Sequence, residues 1–331
     1  MATISFLIAA CRGAESPPAK APGGTATRAA QDVSPHQSGF ITVNGARLNV
    51  LDWGGAGPAL VLIHGFGQSP HVFDDFAPEF TDRHRVVAYA RRGHGRSEAK
   101  PPYDTARLTE DLRELLDSLK ITRASLAGWS MGGNEVTAFA GRYPDRVDRI
   151  VYLDGAYDWG DPEWSAAVQN LPPLFTPDSS ILQSYDRWRE WARATYFAGE
   201  APDNLEGFFQ DLVIVEPSGR VETVPLDTVA AELRKVLFSD RRDYTKVKAP
   251  ALAIYVAPFL SPNQGDSATR SRIAEWETRY VVSFRTKSKE RIQRELPKVR
   301  IVDVAGTHGN FIFHSRRRVV EVMREFLGPT G

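Results

Sequence analysis

The chain has 331 residues, 42% hydrophobic and 25% charged, and its 41 Lys and Arg balance its 41 Asp and Glu. This balance argues against nucleic acid as a partner, since binding phosphates normally requires an excess of basic residues. The apolar content excludes disorder or a fibrous repeat for most of the chain. Cys11 is the single cysteine, which excludes disulfides within the chain and zinc sites built from several cysteines.

Residues 1–38 are predicted to lie outside the fold. Residues 4–10 are uncharged but too few to span a bilayer, which takes about 20 residues, and residues 12–38 are rich in Ala, Pro, Gly, Ser and Thr. Residues 6–11 resemble the lipobox of bacterial lipoproteins, which implies export and a lipid anchor on Cys11. A secretory signal has basic residues before its apolar run, and none precedes Arg12. The segment is therefore either an exported leader and tether or the disordered tail of a cytoplasmic protein.

Short apolar runs separated by turn signals begin after Gly39. Residues 40–43 and 48–51 flank Asn44 and Gly45, a pair typical of hairpin turns, and predict two antiparallel strands. Residues 59–63 are apolar throughout, as in a strand that is buried on both faces of a parallel sheet. Similar runs follow at residues 86–89, 124–127, 150–153, 251–256 and 299–304.

Amphipathic helices are predicted after several of these strands. Leu108, Leu112, Leu115, Leu116 and Leu119 recur at helical spacing, and apolar residues between 319 and 327 do the same. Strands followed repeatedly by helices predict an α/β fold with a mostly parallel sheet.

One long interval interrupts this repeat. Residues 155–244 contain many aromatic residues without a strand-helix alternation, and we predict that they form an inserted helical cap. The alternative is a helical subdomain whose aromatic residues form a small core of its own. The α/β core then comprises residues 39–154 and 245–331. Within it, residues 268–296 are highly charged and predict a solvated helical excursion.

A glycine-flanked serine lies between a predicted strand and a predicted helix. Gly128, Trp129, Ser130, Met131 and Gly132 form a G-x-S-x-G motif, which in this context predicts a nucleophile elbow. The glycines are needed because the sharp turn crowds the backbone on both sides of the serine. The Ser130 hydroxyl is then exposed at a helix N-terminus, where free N–H groups favour negative charge.

From about residue 39 to residue 327, the chain resembles an α/β-hydrolase with a cap domain. This resemblance implies an eight-stranded, mostly parallel sheet with helices on both faces. His64, Gly65 and Phe66 resemble the family's HG loop, which implies that the backbone amides of Phe66 and Met131 form an oxyanion hole. His64 itself is predicted to shape the loop rather than to act as a catalyst.

A serine hydroxyl is a weak nucleophile and needs a base, a role for which histidine is suited near pH 7. Of the seven histidines, only His308 and His314 follow all the predicted strands. His308 lies in a loop directly after the last strand, where the resemblance places the catalytic base. His314 is predicted to be structural, at the start of the closing helix.

The sequence indicates less clearly which acidic residue would orient the histidine. The family usually carries it after the strand at residues 251–256, but no carboxylate follows directly there. Asp154 ends the preceding strand, a site that a minority of the family uses, and we predict that it orients His308. The alternatives are Asp266 on the later loop, Asp158, and a site without an acid.

The predicted chemistry is hydrolysis of a small ester or lactone through an acyl-enzyme, with neither cofactor nor metal. A serine rather than an aspartate at the elbow argues against epoxide hydrolases and haloalkane dehalogenases of this fold. Carbon–carbon bond hydrolysis, cofactor-free perhydrolysis and a hydrolase-like receptor for small molecules are the alternatives. Trp129 and the tryptophan-rich insertion predict an apolar acyl or aromatic substrate that contacts Trp129. The alternative for Trp129 is packing beneath the cap.

Overall fold

The computed structural model describes residues 34–172, 177–197, 200, 202, 204–239 and 241–328. The predicted leader, including Cys11, lies outside the described residues except for residues 34–38. Its last residues belong to the fold, because the first strand begins at Gln37. In the described part of the chain, no helix has both the length and the apolar composition needed to cross a membrane.

Eight strands form one mixed sheet, and two more form a separate hairpin. The strands are β1 (Gln37–Val43), β2 (Ala46–Gly54), β3 (Ala59–Ile63), β4 (Arg85–Tyr89), β5 (Ala124–Trp129), β6 (Val147–Leu153), β7 (Val213–Val215), β8 (Val221–Thr223), β9 (Ala251–Ala257) and β10 (Arg300–Ala305). The large sheet has the order β1-β2-β4-β3-β5-β6-β9-β10. β1 and β2 pair antiparallel with their neighbours, and the strands from β4 to β10 in this order run parallel. This confirms the predicted sheet.

Helices cover both faces of the sheet. They are α1 (Thr105–Ser118), α2 (Gly132–Arg142), α3 (Pro162–Gln169), α4 (Tyr185–Phe197), α5 (Glu206–Asp211), α6 (Asp227–Ser239), α7 (Ser267–Trp276), α8 (Val282–Glu295), α9 (Phe311–His314) and α10 (Arg316–Leu327). Alternate residues of β3 join two different hydrophobic clusters, since successive side chains of a strand project to opposite faces. α1, α2 and α8 contribute to one cluster and α10 to the other.

The segment predicted as a cap lies between β6 and β9 and contains α3 to α6. It also contains the antiparallel hairpin of β7 and β8, which the aromatic pattern did not predict. Its aromatic residues do not form a separate small core. Trp188, Phe197 and Phe209 share a cluster with Trp129, and Trp164 joins the cluster on the other face of the sheet. The insertion is therefore continuous with the core through its apolar packing.

The charged segment after β9 is helical, as predicted, and consists of α7, one π-helical turn (Glu277–Val281) and α8. The prediction that this segment is solvated is wrong for one face of its helices. Trp276, Val281 and Phe284 are buried within the core cluster. The high content of charged residues concealed an apolar face that packs beside the candidate site.

Candidate active site

Ser130 occupies a sharp turn between β5 and α2. Its φ is +52°, in the left-handed region that residues other than glycine rarely adopt. A Cβ on Gly128 would come within 2.4 Å of the carbonyl oxygen of Gly132, and a Cβ on Gly132 within 2.4 Å of that of Ile63. Both glycines are thus needed for the backbone to close the turn. Ser130 is partly exposed, whereas the residues next to it along the chain are buried.

His308 lies in the loop between β10 and α9, against the serine. Its Nε2 lies 2.9 Å from Ser130 Oγ, within hydrogen-bond reach for proton transfer. The loop is held by its backbone, since the His308 amide donates to the carbonyl of Phe259 at 3.0 Å and the Trp129 indole donates to the carbonyl of His308 at 3.1 Å. The imidazole is therefore fixed in place.

Asp154 follows the last residue of β6 and is fully buried. Its Oδ2 lies 2.6 Å from His308 Nδ1. Its Oδ1 accepts hydrogen bonds from the Tyr157 hydroxyl at 2.8 Å and from the Val256 amide at 3.2 Å. Burial, and secondly the charge of Asp154, raise the pKa of Tyr157 well above its ordinary value. The phenol therefore keeps its proton and donates a hydrogen bond to Asp154. Both oxygens of the buried carboxylate are satisfied.

The alternative acids lie elsewhere in the structure. Asp266 is the N-cap of α7, where its side chain accepts a hydrogen bond from the Thr269 amide at 2.8 Å. Asp158 forms ion pairs with Arg241 and Arg291. The structure thus brings Ser130, His308 and Asp154 together and gives the other two aspartates capping and ion-pair roles.

The predicted oxyanion residues lie on either side of the serine. Met131 is the N-cap of α2, so that its amide is at the positive end of that helix. Phe66 lies in the loop after β3, where a Cβ on Gly65 would come within 3.2 Å of the Cβ of Ser130. The Gln68 side chain holds this loop in place, because its Oε1 accepts a hydrogen bond from the Gly65 amide at 2.7 Å. These positions agree with an oxyanion hole, which stays a prediction.

His64 is buried in a polar network beneath the loop after β3. The Arg91 amide donates to His64 Nε2 at 3.2 Å, and the Arg91 guanidinium contacts the His64 and Gly65 carbonyls. Glu135 of α2 pairs with Arg91 at 2.6 Å. Burial, and secondly the charge of Arg91, lower the pKa of His64 well below its ordinary value. His64 is therefore neutral near pH 7, and the network joins the loop to the helix behind Ser130.

The structure gives Trp129 a different position from the predicted one at the substrate. The side chain is fully buried, its ring packs edge-on against Phe311 at 5.3 Å between centroids, and its indole holds the His308 loop. Trp129 is the last residue of β5 and projects to the same face of the sheet as Ala127, in the cluster that includes residues of α10. Trp129 supports the site from below rather than facing the substrate.

Phe259 is a site residue that the sequence analysis missed. Its ring stacks on the His308 imidazole with 4.2 Å between centroids and an interplanar angle of 10°. Trp159 approaches the imidazole edge-on at 5.9 Å, and Trp164 and Phe284 stack behind it. The available signal was positional, because Phe259 stands in the loop where the family usually carries its acid.

These contacts assemble the parts that acyl transfer requires: a partly exposed hydroxyl, a base in contact with it and a buried carboxylate behind the base. Among the described residues, one group could ligate a metal ion, namely His36, His71 and Asp74.

Comparison with known proteins agrees with this geometry. A family model described as the α/β hydrolase fold matches residues 58–210. The chain is 34% identical over 127 residues to an uncharacterized protein of Mycobacterium tuberculosis, covering 38% of this chain and 37% of that protein. It is 31% identical over 137 residues to 3-oxoadipate enol-lactonase 2 of Acinetobacter baylyi, covering 40% of this chain and 51% of that enzyme. The matches thus span about half or less of the relatives' own length.

Among solved structures, the chain is similar to E-2-(acetamidomethylene)succinate hydrolase. The TM-score is 0.65 with 20% sequence identity, and the match covers 88% of this chain and 99% of that one. At this identity the likeness concerns the fold. The sheet order, the strained serine turn and these matches together show that the chain has the α/β-hydrolase fold.

Proposed function

We propose that this protein is a serine hydrolase that cleaves a small carboxylic ester or lactone through an acyl-enzyme. The observation that carries the proposal is the contact series from Ser130 Oγ to His308 Nε2 at 2.9 Å and from His308 Nδ1 to Asp154 Oδ2 at 2.6 Å. It joins residues up to 178 positions apart in the chain. Such a series has the geometry of an activated nucleophile, a base and an orienting carboxylate.

In the proposed first half-reaction, Ser130 Oγ attacks the carbonyl carbon of the substrate while His308 Nε2 accepts the hydroxyl proton. The amides of Phe66 and Met131 donate to the resulting oxyanion, and Asp154 stabilises the imidazolium. The protonated His308 then donates its proton to the departing alkoxide. In the second half, His308 takes a proton from water, whose oxygen attacks the acyl carbon. His308 then returns that proton to Ser130 Oγ as the bond between the serine and the acyl group breaks.

The ester or lactone class rests on the site and on one relative. A serine nucleophile with backbone oxyanion donors is suited to acyl transfer at a carbonyl. The relative from Acinetobacter baylyi is named 3-oxoadipate enol-lactonase 2, and the family model that matches residues 58–210 covers the elbow. The aromatic residues near His308 are mostly buried in packing contacts, so that the predicted apolar preference rests on composition alone.

The central experiment compares the purified chain with Ser130→Ala on p-nitrophenyl acetate and on a small lactone. We expect the variant to lose about 10⁴-fold or more in kcat/KM on both, since its nucleophile is gone. Ser283→Ala, at an exposed serine of α8, is the matched control and should keep full activity.

Three outcomes would contradict parts of the proposal. Activity retained by Ser130→Ala would remove the serine nucleophile. Cleavage of a diketone without ester or lactone turnover would change the substrate class to carbon–carbon bond hydrolysis. A single turnover followed by arrest would favour a receptor, whereas a hydrolase shows an initial acylation burst and then steady turnover.

A further inference from the structure

Two histidines and two aspartates meet in a cluster that does not include the triad. It consists of His36, His71, Asp74 and Asp211, and we call it the His–Asp cluster. Their side chains are at most 3% exposed. His36 precedes β1, His71 and Asp74 belong to the short 3₁₀ turn at Pro70–Phe73 and its C-cap, and Asp211 ends α5. Three separate segments of the chain therefore converge there.

The distances within the His–Asp cluster suit a shared ion. His71 Nδ1 lies 2.9 Å from Asp74 Oδ2, and His36 Nε2 lies 3.7 Å from Asp74 Oδ1. One ligand atom from each of these three residues lies within 4.8 Å of the others. Ligand atoms of a tetrahedral zinc ion lie about 2.0–2.2 Å from the metal, and therefore about 3.4 Å from one another. Shifts of roughly 1 Å or less would bring the three atoms to that spacing.

The other nitrogen of His71 has a carboxylate beside it. His71 Nε2 lies 3.8 Å from Asp211 Oδ2, and Asp211 Oδ1 accepts a hydrogen bond from Arg96 Nε at 2.8 Å. A histidine that ligates a metal through one nitrogen usually directs its other N–H to a carboxylate or carbonyl. Asp211 has this position relative to His71 and is itself held in place.

We propose that the His–Asp cluster binds one divalent transition-metal ion, with zinc as the reference ion, through His36, His71 and Asp74, and that Asp211 orients His71. Two imidazoles and one carboxylate favour zinc and related ions over magnesium or calcium, which prefer oxygen ligands. Asp74 and Asp211 offset part of the charge of a dication, while Arg96 pairs with the other oxygen of Asp211. Three protein ligands leave the fourth tetrahedral position to water.

A comparison within the chain separates this cluster from an ordinary histidine–carboxylate pair. His314 and Glu200 form such a pair at 2.8 Å on the surface. The His–Asp cluster adds a second imidazole, a second carboxylate and burial. The rings of His36 and His71 lie 5.1 Å apart, and Trp53 closes the other side of His36 at 5.2 Å.

The consequence of binding would be structural. The ion would tie the segment before β1 to the turn that follows the Phe66 loop, and Asp211 would extend the tie to the insertion. Helix α5 already approaches closely, since a Cβ on Gly207 would come within 2.7 Å of His71 Nδ1. Metal binding should therefore stabilise the attachment of the insertion without entering the chemistry at Ser130.

The test uses the full chain, treated with a chelator and then titrated with Zn²⁺ alone. We expect about one zinc per chain and a thermal midpoint that rises with zinc concentration, because an ion that binds the folded state stabilises it. X-ray absorption at the zinc edge should show imidazole nitrogen ligands. His36→Gln should abolish both the stoichiometric binding and the rise, Asp211→Asn should weaken binding about 10–100-fold, and the control His314→Gln should bind like the parent.

The contrary outcomes are equally defined. If the thermal midpoint of the parent does not rise even at millimolar zinc, the proposal is overturned. Equal binding by the parent and by His36→Gln, or a zinc environment of oxygen and chloride only, would show an adventitious ion only. If His36→Gln melts much lower without metal, the absorption spectrum of the parent and the Asp211→Asn titration still decide the question. Ester turnover is not a readout, so the outcome is independent of the proposed function.

Discussion

The adjacent strands β6 and β9 both end beside His308, but one end contributes a carboxylate and the other an aromatic ring. β6 is followed by Asp154, whose carboxylate lies 2.6 Å from His308 Nδ1. β9 is followed by Phe259, whose ring stacks on the imidazole and whose carbonyl accepts the His308 amide. One strand end provides the negative charge and the other fixes the plane of the ring.

This difference shows how an acid can change position in the fold while the geometry at the histidine is kept. β6 and β9 are parallel neighbours, with Leu153 beside Ile254, so that both strand ends reach the same edge of the sheet. A carboxylate from either end can face the imidazole. In this protein Asp154 supplies the carboxylate, and the loop after β9 supplies the ring of Phe259 instead.

Among changes to the two strand ends, we expect Asp154→Asn to have the largest effect. An amide at this position can hold His308 in the wrong tautomer and cannot stabilise the imidazolium, so we expect kcat to fall about 10⁴-fold. Steady-state kinetics on p-nitrophenyl acetate measures this. Asp266→Asn is the matched control, and a larger loss there than at Asp154 would assign the acid to the loop after β9.

Phe259→Leu tests the other side of the histidine. Leucine retains apolar volume but not the flat face, so we expect kcat to fall about 10–100-fold with little change in KM, because His308 is less well aligned. Phe284→Leu is the matched control in the same aromatic cluster. Equal losses of kcat in the two variants would reduce the role of Phe259 to packing.

Tyr157→Phe should have a smaller effect. It removes one of the two hydrogen bonds to Asp154 Oδ1, while the Val256 amide keeps the other. We expect a loss in kcat of about 3–10-fold, which is the size of an ordinary net hydrogen bond, because the second hydrogen bond to this oxygen is kept. Tyr255→Phe is the control, because its hydroxyl donates to the Ala156 carbonyl instead. A larger loss of kcat in Tyr255→Phe than in Tyr157→Phe would contradict the role given to Tyr157.

The smallest effect on activity is expected for Asp266→Ala, which should leave kcat/KM unchanged. Its side chain caps α7 through the Thr269 amide, so the free energy of unfolding should fall slightly. Chemical denaturation measures this loss. A fall in activity without a loss of stability would show that Asp266 takes part in the reaction.

Much of the candidate site was predictable because its signals are local or follow chain order. The glycines around Ser130 indicate a tight turn, and His308 follows the last strand. Asp154 was one of several candidates, because a strand end shows where a carboxylate stands but not which histidine it faces. Phe259 and the pairing of Arg91 with Glu135 gave no comparable signal.

The sequence by itself determined the alternation of strands and helices and the serine turn, because burial on both faces, helical spacing and glycine placement are properties of short stretches of chain. Tertiary structure alone decided which acid meets His308, since their contact joins residues 154 positions apart. It also buried the side chain of Trp129 and brought His36 to His71. Such contacts depend on how whole elements pack, and no short stretch of sequence records that packing.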